Sequence, residues 1–171
     1  YFINSARYSL RVSENSGKPS DLIATYEIDV PKQSTPVKVS IPLSGLRFSG
    51  NDACQVNGVP TEIYASPQGK GIYLWLQSSA PKSTGSAEKT ISRGTEPNAA
   101  GPSSETASPN SGFARSVVEL RAIPKLFVQG DFQFCEFQPP EIANSQILVQ
   151  FPRPAARFEI LGARGQTTKI D

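Results

Sequence analysis

The side chains able to do chemistry in this chain are two cysteines, 15 acids, five tyrosines and one tryptophan, with no histidine among its 171 residues. Lack of imidazole excludes Ser-His-Asp and Cys-His catalysis, histidine-ligated metal centres and the ordinary pH switch. Cys54 and Cys135 lie far apart and in no CxxC pattern, so they cannot complete a zinc site or an iron–sulfur cluster. No Walker loop, dinucleotide fingerprint or EF-hand loop occurs, and "SPQGKG" lacks the spacing that a phosphate site requires. No metal and no cofactor are expected. Paired carboxylates remain as the enzymatic option, because glycoside hydrolysis needs only two acids, one with a raised pKa. Asp29, Glu62, Glu119, Asp131, Glu136 and Glu141 are the candidates. Each stands in or beside a strand-like run among polar neighbours, which reads as a solvated face, and the chain is expected to be no enzyme.

The remaining chemistry is covalent crosslinking and aromatic binding. An even number of cysteines in a chain without methionine, which suits a processed fragment, predicts a Cys54–Cys135 disulfide; the alternative is two thiols packed as small hydrophobes. Closing a loop of that length would stabilise the fold by up to about 4.5 kcal/mol. In "GIYLWLQ", period two sends Ile72, Leu74 and Leu76 to one face and Tyr73 and Trp75 to the other. If the aliphatic face enters the core, Tyr73 and Trp75 form a binding face for sugar rings or for a protein neighbour. The other reading of so apolar a run is a central strand buried on both faces. "DFQFCEFQPP" likewise puts Phe132 and Phe134 on one side and Cys135 and Phe137 on the other.

Strands must position these groups, because short alternating runs rich in β-branched and aromatic residues dominate and Pro and Gly punctuate them. Strands are expected at 8–13, 24–30, 37–42, 62–65, 71–77, 116–123, 126–128, 132–137, 146–151 and 157–161. "FARSVVELRAI" fits a helical stripe as well as a strand. So many short strands predict an all-β fold: an antiparallel two-sheet sandwich, jelly-roll or Greek-key in connectivity, forming a single domain over 1–171.

Residues Ser78 to Gly112 interrupt that pattern with a Ser/Thr/Pro/Gly-rich insertion loop carrying one aliphatic side chain larger than alanine, Ile91. It has too little to bury to offset an ordering cost of about 1–2 kcal/mol per residue. A tolerated insertion, an O-glycosylated loop and a segment ordered by a partner all fit that composition. No Asn begins an N-x-Ser/Thr triplet. The net charge of +2 is scattered, so nucleic acid is not an expected partner, and no run is long enough to be a transmembrane segment.

"TYEIDVPKQSTPVKVSI", Thr25 to Ile41, resembles the strand, Pro, turn, Pro, strand segment of a secreted cyanobacterial β-domain family of unknown function. That resemblance implies an extracytoplasmic location and no activity. Together these readings predict a non-catalytic structural or adhesive protein, extracellular, at the cell surface or periplasmic, and possible as a repeating subunit of a surface assembly or filament. Self-association or neighbouring surface proteins are the expected partners, with the terminal segments "YFINSARYSL" and "RFEILGARG" as donors for strand addition. The alternative is a carbohydrate-binding module using Tyr73 and Trp75 on glycans.

Overall fold

The computed structural model describes residues 1–13, 20–48, 50, 52–67, 69, 71–77, 112–130 and 132–151. All of the 78–112 insertion but Gly112, and the expected strand at 157–161, therefore lie outside the described residues, as does Asp131. The described residues form eleven strands: β1 (Phe2–Arg11), β2 (Asp21–Pro31), β3 (Val37–Ile41), β4 (Leu46–Phe48), β5 (Cys54–Val56), β6 (Val59–Pro60), β7 (Tyr64–Ala65), β8 (Ile72–Leu76), β9 (Phe113–Gln129), β10 (Phe132–Glu136) and β11 (Ser145–Gln150). No helix occurs among the described residues, and the fold is the all-β, two-sheet arrangement expected.

The large sheet has eight strands in the order β11-β1-β2-β9-β5-β6, with β4 and β10 also paired to β9; the small sheet is β3-β8-β7. Pairing is antiparallel except between β1 and β11, which run parallel. Alternation builds the core directly. Tyr8 and Leu10 of β1, Leu22, Ala24, Tyr26, Ile28 and Val30 of β2, and Val118 and Leu120 of β9 are buried on the inner face of the large sheet. Val39 and Ile41 of β3 and Ile72, Leu74 and Leu76 of β8 meet them from the small sheet in one cluster.

The segment "FARSVVELRAI" is strand, part of a 17-residue β9 that merges the two strands expected at 116–123 and 126–128. Pro124 is tolerated within it for a register reason. The Lys125 amide donates to the Gly45 carbonyl on the β4 side, so the nitrogen of Pro124 faces the other side, where pairing with β2 has stopped at Ala122. β5 and β6 form a hairpin closed by Asn57 and Gly58, both with positive φ (50° and 80°), as a two-residue turn with the strands' own twist requires.

Two expectations are corrected here. The first ten residues are not a free donor: β1 lies between β11 and β2, with Ala6 and Tyr8 in the core. The expected disulfide is not formed, and Cys54 and Cys135 are both free thiols. Cys54 pairs across from Leu120 and Cys135 from Leu126, about 20 Å apart along β9, whereas a bridge needs Cα atoms within about 7 Å. Burial pushes the Cys54 thiol up to about 11 and raises Cys135 as well, so both behave as small packed hydrophobes.

Candidate functional site

The outer face of the small sheet carries the candidate site. On β8, Ile72, Leu74 and Leu76 are buried, which turns Tyr73 and Trp75 outward; Trp75 is 50% exposed and Tyr73 half-buried. The two-sided burial weighed for this strand is therefore absent on the Trp75 side. Tyr73 is directly opposite Tyr64 of β7 and Ser40 of β3, and Trp75 is opposite Lys38 of β3. The Tyr64 and Tyr73 rings stack at 5.2 Å with 19° between planes, and the Lys38 Nζ lies 4.0 Å from the Tyr73 ring centroid. The Tyr64 hydroxyl donates to Glu62 Oε2 at 2.6 Å; that carboxylate holds the phenolic proton in place and raises the Tyr64 pKa. Across the strands the face reads as an ammonium, two stacked phenols and a carboxylate, with the indole beside them.

Gly71 fixes the entry to β8. Its φ is +101°, and a Cβ there would stand 2.2 Å from the Ile41 carbonyl oxygen and 2.8 Å from the Leu43 nitrogen. Only glycine lets the chain pass so close to the end of β3 and still place Ile72 inward and Tyr73 outward.

The outer face of the large sheet is different in kind. Arg115 of β9 bonds Asp29 of β2 at 3.1 Å and lies 3.8 Å from Glu27, while Arg121 bonds Glu119 at 3.0 Å. The Arg115 guanidinium holds the Asp29 carboxyl below its ordinary range. Of the other candidate acids, Glu136 lies 3.9 Å from Lys125 and Glu62 accepts from Tyr64. These candidate acids are thus spread over different faces and set beside cations or a hydroxyl, and Glu141 is exposed in the segment between β10 and β11. Among the described residues no three His, Cys, Asp or Glu side chains come together as a metal site would require. In β10, Phe134 stacks on Phe127 of β9 at 5.0 Å, and Cys135 and Phe137 pack against the core, following the alternation expected.

Tyr73 and Trp75 were found by period two, but Tyr64, Lys38 and Glu62 were not singled out as their neighbours. Their proximity depends on cross-strand register, which the spacing of one strand does not carry. Among the described residues no helix is long and apolar enough to cross a membrane. No family model, no curated protein and no solved structure matches the chain.

Proposed function

We propose that this protein is a non-catalytic, self-associating structural or adhesive β-sandwich that meets neighbouring subunits through the outer face of its small sheet. The observation that carries the reading is Trp75: a half-exposed indole beside a Tyr64–Tyr73 stack, on a strand whose other face already fills the core. Buried aromatic anchors with a polar rim are what protein contacts are built from, and Lys38 and Glu62 supply the rim. The large sheet has partly exposed aromatic pairs of its own, Phe2 with Phe113 and Phe127 with Phe134, but no tryptophan.

An extracellular or cell-surface location belongs to the same proposal. It rests on the Ser/Thr/Pro-rich composition of 78–112 and on the resemblance of Thr25 to Ile41; the free cysteines lend it no support.

A second reading has its own observation. The stacked phenols and the indole present flat ring surfaces beside an ammonium and a carboxylate, the combination that holds a sugar ring by its apolar face and its hydroxyls. Trp75 is the only tryptophan, so its emission reports this face alone. The test is sedimentation velocity across concentration, with tryptophan emission followed in parallel and repeated with soluble oligosaccharides. Self-association that blue-shifts the emission and is weakened in Trp75→Ala supports the first reading. A monomer whose emission shifts only with glycan supports the second, and a monomer indifferent to both removes each of them.

A further inference from the structure

The large sheet ends in an edge that is built differently from the others. β3 exposes an edge too, but the Tyr1 hydroxyl closes part of it: it accepts from the Ser40 amide at 3.1 Å and donates to the Ser40 carbonyl at 3.0 Å. Pro36 and Pro42 flank that strand and Lys38 lies on it, devices that discourage further pairing. β6 and β7 have two residues each, β6 ends in Pro60, and β10 carries Glu136. β11 is the longest edge strand among the described residues, and "SQILVQ" contains no charge, proline or glycine. Its composition is that of a segment prone to pair with itself.

Register identifies which backbone groups it offers. Ala6 N–H donates to the Asn144 carbonyl and Val12 N–H to the Gln150 carbonyl, so even-numbered residues direct their backbone groups to β1. Ser145, Ile147 and Val149 direct theirs to the free edge. The same odd residues share the inner face, because they stand opposite Ala6, Tyr8 and Leu10, which are buried. The small sheet, three strands against eight, leaves Ile147 at 38% exposed on that face.

We propose that β11 pairs antiparallel with β11 of a second copy about a two-fold axis through Ile147, joining the two large sheets into one. This rests on the reading of the protein as a self-associating subunit and names a second contact for it. An antiparallel partner must align odd residues with odd residues to exchange both backbone bonds, and the two-fold does so by pairing Ile147 with its own copy and Ser145 with Val149. A two-fold perpendicular to the sheet keeps inner faces on one side. Ile147 and Val149 of both copies then form one apolar stripe, while Gln146, Leu148 and Gln150 stay on the outer face. The strand's neutrality matters most on the axis, since a charge at residue 147 would meet its own copy.

The test uses the full chain. Ile147→Pro removes an amide that faces only the free edge and leaves the bonds to β1 in place, and Ile147→Lys puts a charge on the axis. Sedimentation velocity over a roughly hundredfold concentration range should show growth beyond the aromatic-face dimer weakened at least tenfold in both, with unchanged far-UV circular dichroism. Hydrogen exchange should show the amides of Ile147 and Val149 protected only in the associated wild-type chain. If Ile147→Pro still associates while Trp75→Ala does not, the edge contact fails and the aromatic-face reading stands. A wild-type chain that stays monomeric at the highest concentration overturns both. If those amides are protected in a monomer, and removal of 152–171 both exposes them and permits dimers, the chain's own C-terminal segment occupies the edge and the proposal is overturned.

Discussion

Removing a hydroxyl from the middle of the core should make this protein more stable, and increasingly so in alkali. Tyr8 and Tyr26 are both 0% exposed, their rings meet edge to face at 5.9 Å, and each hydroxyl has only the other near it, at a geometry that does not make a proper hydrogen bond. Leaving a buried hydroxyl unpaired costs about 1–3 kcal/mol. Tyr26→Phe keeps the ring and its edge contact and deletes only that penalty, so a gain of about 1 kcal/mol at pH 7 is expected. Burial also raises the Tyr26 pKa far above its ordinary value. The sign follows: below about pH 10 the phenol is neutral in both states, and above it only the unfolded chain ionises. Stability therefore falls as pH rises past about 10, by about 1.4 kcal/mol per pH unit from Tyr26, until the folded phenol also titrates. Tyr8, also raised by burial, adds to the same slope.

Urea denaturation followed by far-UV circular dichroism at pH 7, 9, 10 and 11 measures both effects. The gap between Tyr26→Phe and wild type should be about 1 kcal/mol at pH 7 and about 2.5 kcal/mol at pH 11. Parallel pH profiles would show that the folded phenol titrates normally. If the variant is less stable at pH 7, the hydroxyl has a partner. Should that partner be Tyr8, each single variant would lose stability and the Tyr8→Phe, Tyr26→Phe double variant would recover it.

Alkylation of the denatured chain without reductant should add two labels by intact mass, since both cysteines are free, and Cys54 should resist labelling in the native state because it is 1% exposed. Gly71→Ala should destabilise by roughly 3 kcal/mol or more, through positive φ and the clash with the Ile41 carbonyl, whereas Gly69→Ala, where nothing lies within 4 Å, should cost only about 1 kcal/mol; urea midpoints compare the two. Replacing residues 82–110 by a Gly/Ser linker of about ten residues should leave the thermal midpoint nearly unchanged, since closure entropy varies slowly with loop length.

Period two was enough to find β2, β3 and β8, because each has three or more inward apolar residues in strict alternation, but so apolar a run as β8 also fitted burial on both faces, and only the structure turns Trp75 outward. It missed β4, β5 and β6, which are two or three residues long and owe their existence to pairing with β9 and with each other. The Asn57-Gly58 pair was the available signal for the β5–β6 hairpin, and the flanking Val56 and Val59 are opposite each other as that turn demands. The disulfide was misjudged for a related reason. Cysteine count and spacing constrain a bridge only through the fold, and here β9 holds the two thiols at separate stations along one strand. Tyr64 joined the aromatic face by the same invisible route, through its register with Tyr73.

The mismatch between an eight-stranded and a three-stranded sheet bears on how a proposed assembly would grow. A small sheet cannot cover the inner face of a large one to its margin, so Ile147 stays partly open beside β11 while the outward aromatics lie on the opposite layer. The two surfaces face different directions and differ in chemistry. A two-fold contact at β11 alone closes after two copies, and so does a two-fold contact at Tyr73 and Trp75 alone. Both together leave every dimer with a free contact at each end, which continues without limit. Trp75→Ala should then yield dimers held by β11, Ile147→Pro dimers held by the aromatic face, and the double variant monomers, while only the wild type forms longer polymers in electron micrographs. Long polymers from either single variant would mean that its remaining contact is head to tail, and the two-fold geometry would have to be abandoned for that contact.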